Sequence, residues 1–442
     1  MAPGAGVSPP AAGGAPPPTA PLTPGRPSAP APAAVPGGGR TAAPAGAPVP
    51  SLAAPVQSPA ESRARLRLLI ATAKQQAPEV SMARASLTSS RSAHEMGRMA
   101  PFLNPMIEVT AERGNKDVTK DVAINGILWL PVELSGQRGS RKREATDFVG
   151  LHTALVDQAR AHAAARLVRA FGYAAVAAER HQVLTELLTS ARAEADLMAE
   201  RVKAGDAIAR DASLAAVEAA RHDVMLAETQ AELVRSQGEL SELLGTEELE
   251  QVAPSAPPSL SDRDFRTVKV DQTPHSQALR AQAKFYTSSA ERLSKEGQSA
   301  LSLGLVAGRG DYGETRLGGG LAYAFPVFRA NRPERARAAA ESSRALEEKR
   351  VQESVAVRRL KLLQLEQEQL TRAIDSLTAT ALPAAQHAVS AVQETYAAGK
   401  AEMLAVLLSR RELSALYLRR LELLQQNWLL VSEYVEITGD LP

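Results

Sequence analysis

Thr395-Tyr396-Ala397-Ala398-Gly399-Lys400-Ala401-Glu402-Met403-Leu404 has a counterpart far upstream, Arg201-Val202-Lys203-Ala204-Gly205-Asp206. Gly205 is followed 40 residues later by Gly245, and Gly399 is followed 40 residues later by Gly439, so the two glycine pairs stand 194 positions apart. The register extends toward the N-terminus. Leu130-Pro131-Val132 precedes Arg138, Arg141 and Ala145, and Phe325-Pro326-Val327 precedes Arg332, Arg335 and Ala339, at offsets of 194 or 195. A fixed internal period across that many landmarks means one structural unit made twice.

Between these landmarks the hydrophobic pattern changes period in a fixed order. Glu61 to Phe102 reads as helix and stops at Pro101-Phe102-Leu103-Asn104-Pro105, where two prolines block continuation. Ile107, Val109 and Ala111 then alternate with Glu108, Thr110 and Glu112. After the polar loop Gly114-Asn115-Lys116-Asp117, Val122, Ile124, Gly126, Leu128 and Leu130 recur at every second position. Alternation on both sides of a polar turn predicts a β-hairpin. From about Ser140 to Arg201 there is no proline and glycine is scarce; as one helix this segment spans roughly 90 Å at 1.5 Å per residue. The chain turns near Gly205 and returns through Asp211 to Gly245, which predicts a helical hairpin with a coiled-coil-like seam of small apolar residues.

The second copy follows the same order. A helix around Ser276–Lys295 leads to Leu301, Leu303, Leu305 and Ala307, then a loop at Gly308–Glu314, then Leu317, Gly319, Leu321, Tyr323, Phe325 and Val327. Leu317 to Val327 carries one apolar face over 11 residues, the roughly 9–11 residues that a tilted membrane strand needs. The opposite face is Arg316, Gly318, Gly320, Ala322 and Ala324. A second long helix follows Asn331-Arg332-Pro333, with a kink or break expected at Pro383. The expected fold is therefore mainly α with a small antiparallel β part. It divides into a disordered Pro/Ala/Gly-rich tail (1–60), a first repeat (61–245), a linker (246–265) and a second repeat (266–440).

Composition narrows the function. Seventeen of the 29 prolines lie in residues 1–60, a composition that cannot bury a core. With 51 basic and 49 acidic residues, a phosphate-dominated nucleic-acid surface has no support. The absence of cysteine removes disulfides, thiolate metal sites and a lipidated N-terminal cysteine. Residues 1–30 contain no basic segment followed by an apolar one, and no window reaches the roughly 18 apolar residues of a membrane helix. Read literally that is a cytosolic chain; a start site placed downstream of the true leader reconciles it with export.

Taken together, these landmarks over about 79–440 resemble the TolC family of outer-membrane efflux proteins. The resemblance rests on the order hairpin, long helix, glycine tip, long helix, twice, with Leu382-Pro383 ahead of Tyr396-Ala397-Ala398-Gly399. Pro131-Val132-Glu133-Leu134, followed by Gly136-Gln137-Arg138 and Arg141, is similar to the strand-to-helix join of the family's heavy-metal branch. The resemblance implies a homotrimer in which each chain gives four strands to one β-barrel in the outer-membrane lipid bilayer and two helical hairpins to one periplasmic α-barrel. It also implies partners: a periplasmic adaptor (membrane fusion) protein at the helix tips, Gly205 and Gly399, and an inner-membrane efflux pump. Asp211 and Tyr396 occupy positions that belong in the family to the polar network closing the periplasmic entrance. The family's constriction aspartates are replaced by Ala405 and Leu408, so an apolar or weakly charged constriction is expected. Trp129, Tyr323, Phe325 and Phe328 cluster near strand ends, as aromatics at a membrane interface do. The similarity to the heavy-metal branch tilts the cargo toward cations.

Each reading has a plainer rival. Gly205 and Gly399 serve as helix C-caps whatever else they do, and Asp211 suits the first turn of a helix through the helix dipole. Gly308-Arg309-Gly310-Asp311-Tyr312-Gly313 spells GxGxxG, but a strand pattern follows where a nucleotide-binding turn needs a helix; a hairpin loop is the better reading. The seven histidines include no metal-ligand spacing. No catalytic residues, cofactor or metal are expected, so the energy for transport must come from a partner. A soluble helical coiled-coil scaffold is the alternative function, and it leaves the paired amphipathic strands without a purpose. A periplasmic adaptor would have one hairpin where two copies are read here.

Overall fold

A computed structural model describes residues 59–95, 102–113, 122–248, 252–260, 262–310, 313–326 and 331–441. The expected disordered tail, apart from its last two residues, lies outside these, as does Phe328. In order, the elements are α1 (Pro59–Gln76), α2 (Pro78–Arg91), β1 (Met106–Arg113), β2 (Val122–Val132), α3 (Gln137–Ala204) and α4 (Ala209–Leu244). A short helix α5 (Asp262–Thr267) and a 3-10 turn (Val270–Gln272) precede α6 (Pro274–Glu296), β3 (Leu301–Arg309) and β4 (Thr315–Tyr323). The chain ends with α7 (Arg332–Ser376), a π-helical turn (Leu377–Ala381), α8 (Leu382–Ala397) and α9 (Met403–Thr438).

The period of the sequence reappears in the helices. α4 and α9 are both 36 residues long and begin 194 residues apart. α3 has 68 residues, roughly 100 Å at 1.5 Å per residue, and α7, the π turn and α8 together run a similar distance. Each long helix starts after a left-handed residue, Gly136 (φ 83°) or Asn331 (φ 50°). That conformation is open to glycine and tolerated by asparagine; here the Asn331 side chain donates to the Leu293 carbonyl at 3.2 Å.

Three expectations are corrected. The first helical stretch is interrupted: Ala77 is extended and Pro78 starts a second helix, which ends at Arg91; helix resumes at His94–Glu95, and 96–101 lie outside the described residues. Proline fits the first turn because no intrahelical partner exists there for its missing N–H. β4 has nine residues and stops at Tyr323, while β3 runs on to Arg309, so the loop between them is shorter than Gly308–Glu314; the Gly310 N–H bonds the Glu314 carbonyl across it. The segment read as a linker packs on the helices through buried Val252 and Leu260.

The helices meet at one large apolar cluster. Alanines of α3 (Ala163, Ala164, Ala170, Ala174) let Leu240, Leu243, Leu363, Leu421, Trp428 and Val431 approach closely. Phe171 and Trp428 meet edge to face, with centroids 5.5 Å apart. Any side chain at Gly172 would place its Cβ 2.5 Å from Trp428, so glycine is what permits α3 and α9 to cross there.

Candidate functional site

The β-strands form one antiparallel sheet in the order β1-β2-β3-β4. Directly opposed residues share a face, so the register sorts every side chain. One face carries Ile107 and Val109 of β1, Ile124, Leu128 and Leu130 of β2, Leu303 and Leu305 of β3, and Leu317, Leu321 and Tyr323 of β4. The other is mixed: Glu108, Thr110, Glu112, Asn125, Ser302, Arg316, Gly318 and Gly320 share it with Met106, Ile127, Trp129 and Val306. Nothing among the described residues covers the apolar face: Leu317 is 82% exposed and Leu321 is 74% exposed. A contiguous, exposed apolar patch of this kind marks a surface meant for lipid or protein.

The four interface aromatics part company here. Tyr323 lies on the apolar face at the strand end, its ring edge-on to Phe325 at 5.1 Å, and Phe325 is 78% exposed. Trp129 departs from the expectation. It pairs with Met106 and Gly304 on the polar face, its indole N–H donates to Glu108 Oε2 at 3.0 Å, and its ring crosses Gly304 and Gly320, where Cβ atoms would come within 2.6 and 3.3 Å. A girdle residue is expected on the apolar face with Tyr323, and Trp129 lies on the other. Phe328 falls outside the described residues.

At the far end of the helices, the two tips share one backbone design. Gly205 (φ 78°) and Gly399 (φ 71°) are left-handed. The Gly205 N–H reaches the Val202 carbonyl and the Asp206 N–H the Arg201 carbonyl; Gly399 to Tyr396 and Lys400 to Thr395 repeat the pattern. These paired bonds satisfy the last carbonyls of each long helix. Each returning helix starts after an extended residue, Ile208 or Glu402. The C-cap reading of both glycines is therefore direct; an adaptor contact is a separate matter.

Asp211 and Tyr396 are not brought together within the chain. Asp211 sits in the first turn of α4, its carboxylate taking a hydrogen bond from Arg210 Nε at 3.3 Å. Tyr396 Oη accepts from Arg201 Nη1 at 2.9 Å and donates to Met198 Sδ at 3.8 Å, joining the two hairpins above their tips. Leu404 and Leu408, one turn apart at the start of α9, are exposed, and Ala405 lies between them.

Deeper between the hairpins is a cavity of about 40 Å³, lined by Ser190 and Glu194 of α3, Glu218 and His222 of α4, Gln393 of α8, and Arg410 and Tyr417 of α9, among apolar neighbours. Arg410 donates to Glu194 at 2.6 Å and to Ser190 at 3.2 Å. Burial raises the Glu194 carboxyl above its ordinary range, and Arg410 pulls it back in part. Burial likewise raises the Tyr417 phenol, against a hydrogen bond from Gln386 at 2.7 Å. Among the described residues no group of acidic and histidine side chains is arranged to hold a metal ion, and no helix is long and apolar enough to cross a membrane.

No protein-family model and no curated protein match the sequence. The backbone, however, is similar to solved structures. Against the outer-membrane channel OprN the TM-score is 0.69 at 17% identity, over 87% of this chain and 93% of that one. Against the outer membrane protein VceC of Vibrio cholerae it is 0.66 at 18% identity, over 85% and 95%. Against the MtrE outer membrane channel of Neisseria gonorrhoeae in its open state it is 0.61 at 16% identity, over 84% and 88%. The fold is TolC-like. In a TolC-like chain at this low identity, side-chain roles have to be argued from this chain's own contacts. Arg201, Met198, Arg410 and His222 are contacts of that kind that sequence reasoning did not single out. Their pairing depends on how four helices are rotated about their axes, and no local pattern records that.

Proposed function

We propose that the chain is the outer-membrane channel of a tripartite efflux system, a passive homotrimeric conduit served by a periplasmic adaptor protein and an inner-membrane pump. The observation that carries this reading is the sheet, uncovered and apolar on one face and carrying its acidic, amide and glycine residues on the other. In lipid every backbone group needs an internal partner, and only a closed barrel gives strands that. β1 and β4 each have one unpaired edge among the described residues. Three chains of four strands give a twelve-stranded barrel, an even number within the range of bacterial barrels, with β4 of one chain meeting β1 of the next. The similarity to OprN and MtrE, both outer-membrane channels, supports the same reading.

On this reading, the helical hairpins extend into the periplasm and present Gly205 and Gly399 to the adaptor. Asp211, bonded among the described residues to the adjacent Arg210 side chain, can still accept from a neighbouring hairpin. Tyr396 stiffens the join between hairpins beside it. Leu404 and Leu408 narrow the entrance with apolar side chains. The pump, on this reading, supplies the energy and the cargo choice; metal cations are the first cargo to assay.

Planar-bilayer recording of the purified full chain tests the proposal. Discrete conductance steps are expected, and Asp211→Ala should raise the closed-state conductance by removing a charge-assisted bond of about 1.5–3 kcal/mol. Unchanged conductance would remove the gate role from Asp211. A monomer that gives no steps and does not associate with vesicles would sink the channel and leave the helical scaffold.

A further inference from the structure

His222 is a charged-capable side chain in an unusual place. It sits in the middle of α4 with its side chain 7% exposed, and its Nδ1 is buried without a protein hydrogen-bond partner. Nε2 faces Glu218 Oε1 at 3.6 Å, one turn away on the same helix, too long for a hydrogen bond. The ring lines the cavity described above, where α3, α4, α8 and α9 converge. At 1.5 Å per residue, the 11 positions from Glu194 to Gly205 put this cavity roughly 16 Å from the first tip.

The charged and titratable groups around it are few. From its own helix come Glu218 and Arg221, which also contact each other at 3.6 Å. α3 contributes Glu194, held by Arg410; Glu186, whose Oε2 is buried and unpartnered, acts on Tyr417. α9 contributes Arg410 and Tyr417, and α8 only the uncharged Gln393 and Val389. Adding a proton to His222 places a cation in a small, mostly apolar cavity that Arg410 also lines, near Arg221 and with one loosely placed carboxylate to offset it. Burying a poorly paired charge is expensive. The lower-energy response is to let water in, and water enters by α4 moving off its neighbours.

We infer that His222 is a proton-released latch on the seam between the two helical hairpins: neutral, it lets α4 pack against α3 of its own hairpin and α9 of the other, and protonated, it loosens that packing above the tips. The direction follows from the burial. Desolvation lowers the affinity of His222 for a proton, Arg221 lowers it further and Glu218 restores part of it. A histidine that binds its proton more weakly when packed leaves the packing intact above the ordinary value of about 6.5 and weakens it as pH falls below that. Glu194 acts oppositely, since a carboxyl raised by burial favours the packed state at low pH. The latch therefore has to be tested at His222 itself. It rests on helix packing and stands whether or not the chain conducts.

Hydrogen–deuterium exchange on the full-length protein, corrected for the intrinsic pH dependence of exchange, reads the seam. Amides of residues 212–224 and 405–417 should exchange faster at pH 5.5 than at pH 7.5, by up to about tenfold, the ceiling set by the one pH unit between 5.5 and the ordinary histidine value of about 6.5, while amides of the main core around 163–175 stay unchanged. His222→Gln should remove that pH dependence. Persistence of the full effect in the variant, or its absence in the wild type, would overturn the latch. Deuterium exchange at the His222 ring C2 position in the wild-type protein adds a check that needs no variant. Its midpoint should fall below the ordinary histidine value of about 6.5, and a midpoint at or above that value would overturn the latch as well.

Discussion

Arg141 shows how much can rest on one side chain. It sits one turn into α3, where the sheet gives way to the helices, and forms a two-pronged bond to Glu133, with Nη1 and Nη2 both 2.7 Å from the carboxylate oxygens. The two side chains are only 9% and 6% exposed. The carboxylate holds the guanidinium proton still more tightly than usual. Truncating one partner of such a pair strands the other charge, which costs about 3–5 kcal/mol. Arg141→Ala is expected to lower stability by that amount in denaturant unfolding, and Arg141→Ala combined with Glu133→Ala to recover much of it. The pair was legible as a motif, Glu133 through Arg141, but only the structure shows it closed and buried. Trp129 teaches the reverse. Its parity, opposite to Leu128 and Leu130, already placed it on the polar face, and reading it by residue type alone put it at the membrane interface.

At the scale of elements, Pro383 announced an interruption but not its form. Proline has no N–H to give, and its ring crowds the carbonyl four residues back, here that of Ala379. The helix answers with the π turn Leu377–Ala381, in which the Leu382 N–H bonds the Leu377 carbonyl five residues back. A π turn holds one residue more than the α-helix it interrupts. Deleting Thr380 together with Pro383→Ala should therefore restore a regular helix with everything downstream still in register. Deleting His387 instead rotates the rest of α8 by about 100° and pulls Val389 off Val183, Leu413 and Tyr417, at a cost of about 1.5–3 kcal/mol for that side chain alone. Thermal unfolding followed by circular dichroism should place the first deletion near the wild type and the second well below it. The tip glycines and helix lengths were legible because they depend on local backbone demands repeated at a fixed period. Which helix faces meet was not, since alanine-rich helices offer several nearly equivalent seams.

For the whole molecule, the question is whether the exposed apolar face meets lipid, and two adjacent residues answer it. Leu317 and Gly318 are consecutive in β4 and point to opposite faces: Leu317 pairs with Ala307 among the apolar set, and Gly318 pairs with Val306 on the face of Arg316 and Gly320. Both sites have room. Leu317 is 82% exposed, and a Cβ at Gly318 would meet nothing within 4 Å. Were the sheet a solvated appendage of a helical scaffold, arginine would be tolerated about equally at either position. If β4 spans a bilayer, Leu317→Arg places a guanidinium against hydrocarbon, costing up to about 2–4 kcal/mol near the midplane, while Gly318→Arg places one in a wet lumen. Flotation with phospholipid vesicles, normalised to helical content by circular dichroism, should then show Leu317→Arg lost from the membrane fraction and Gly318→Arg retained with altered ion selectivity. Equal flotation of the two variants would mean that this face is not the one that meets lipid, and the channel would have to be argued again from the helices alone.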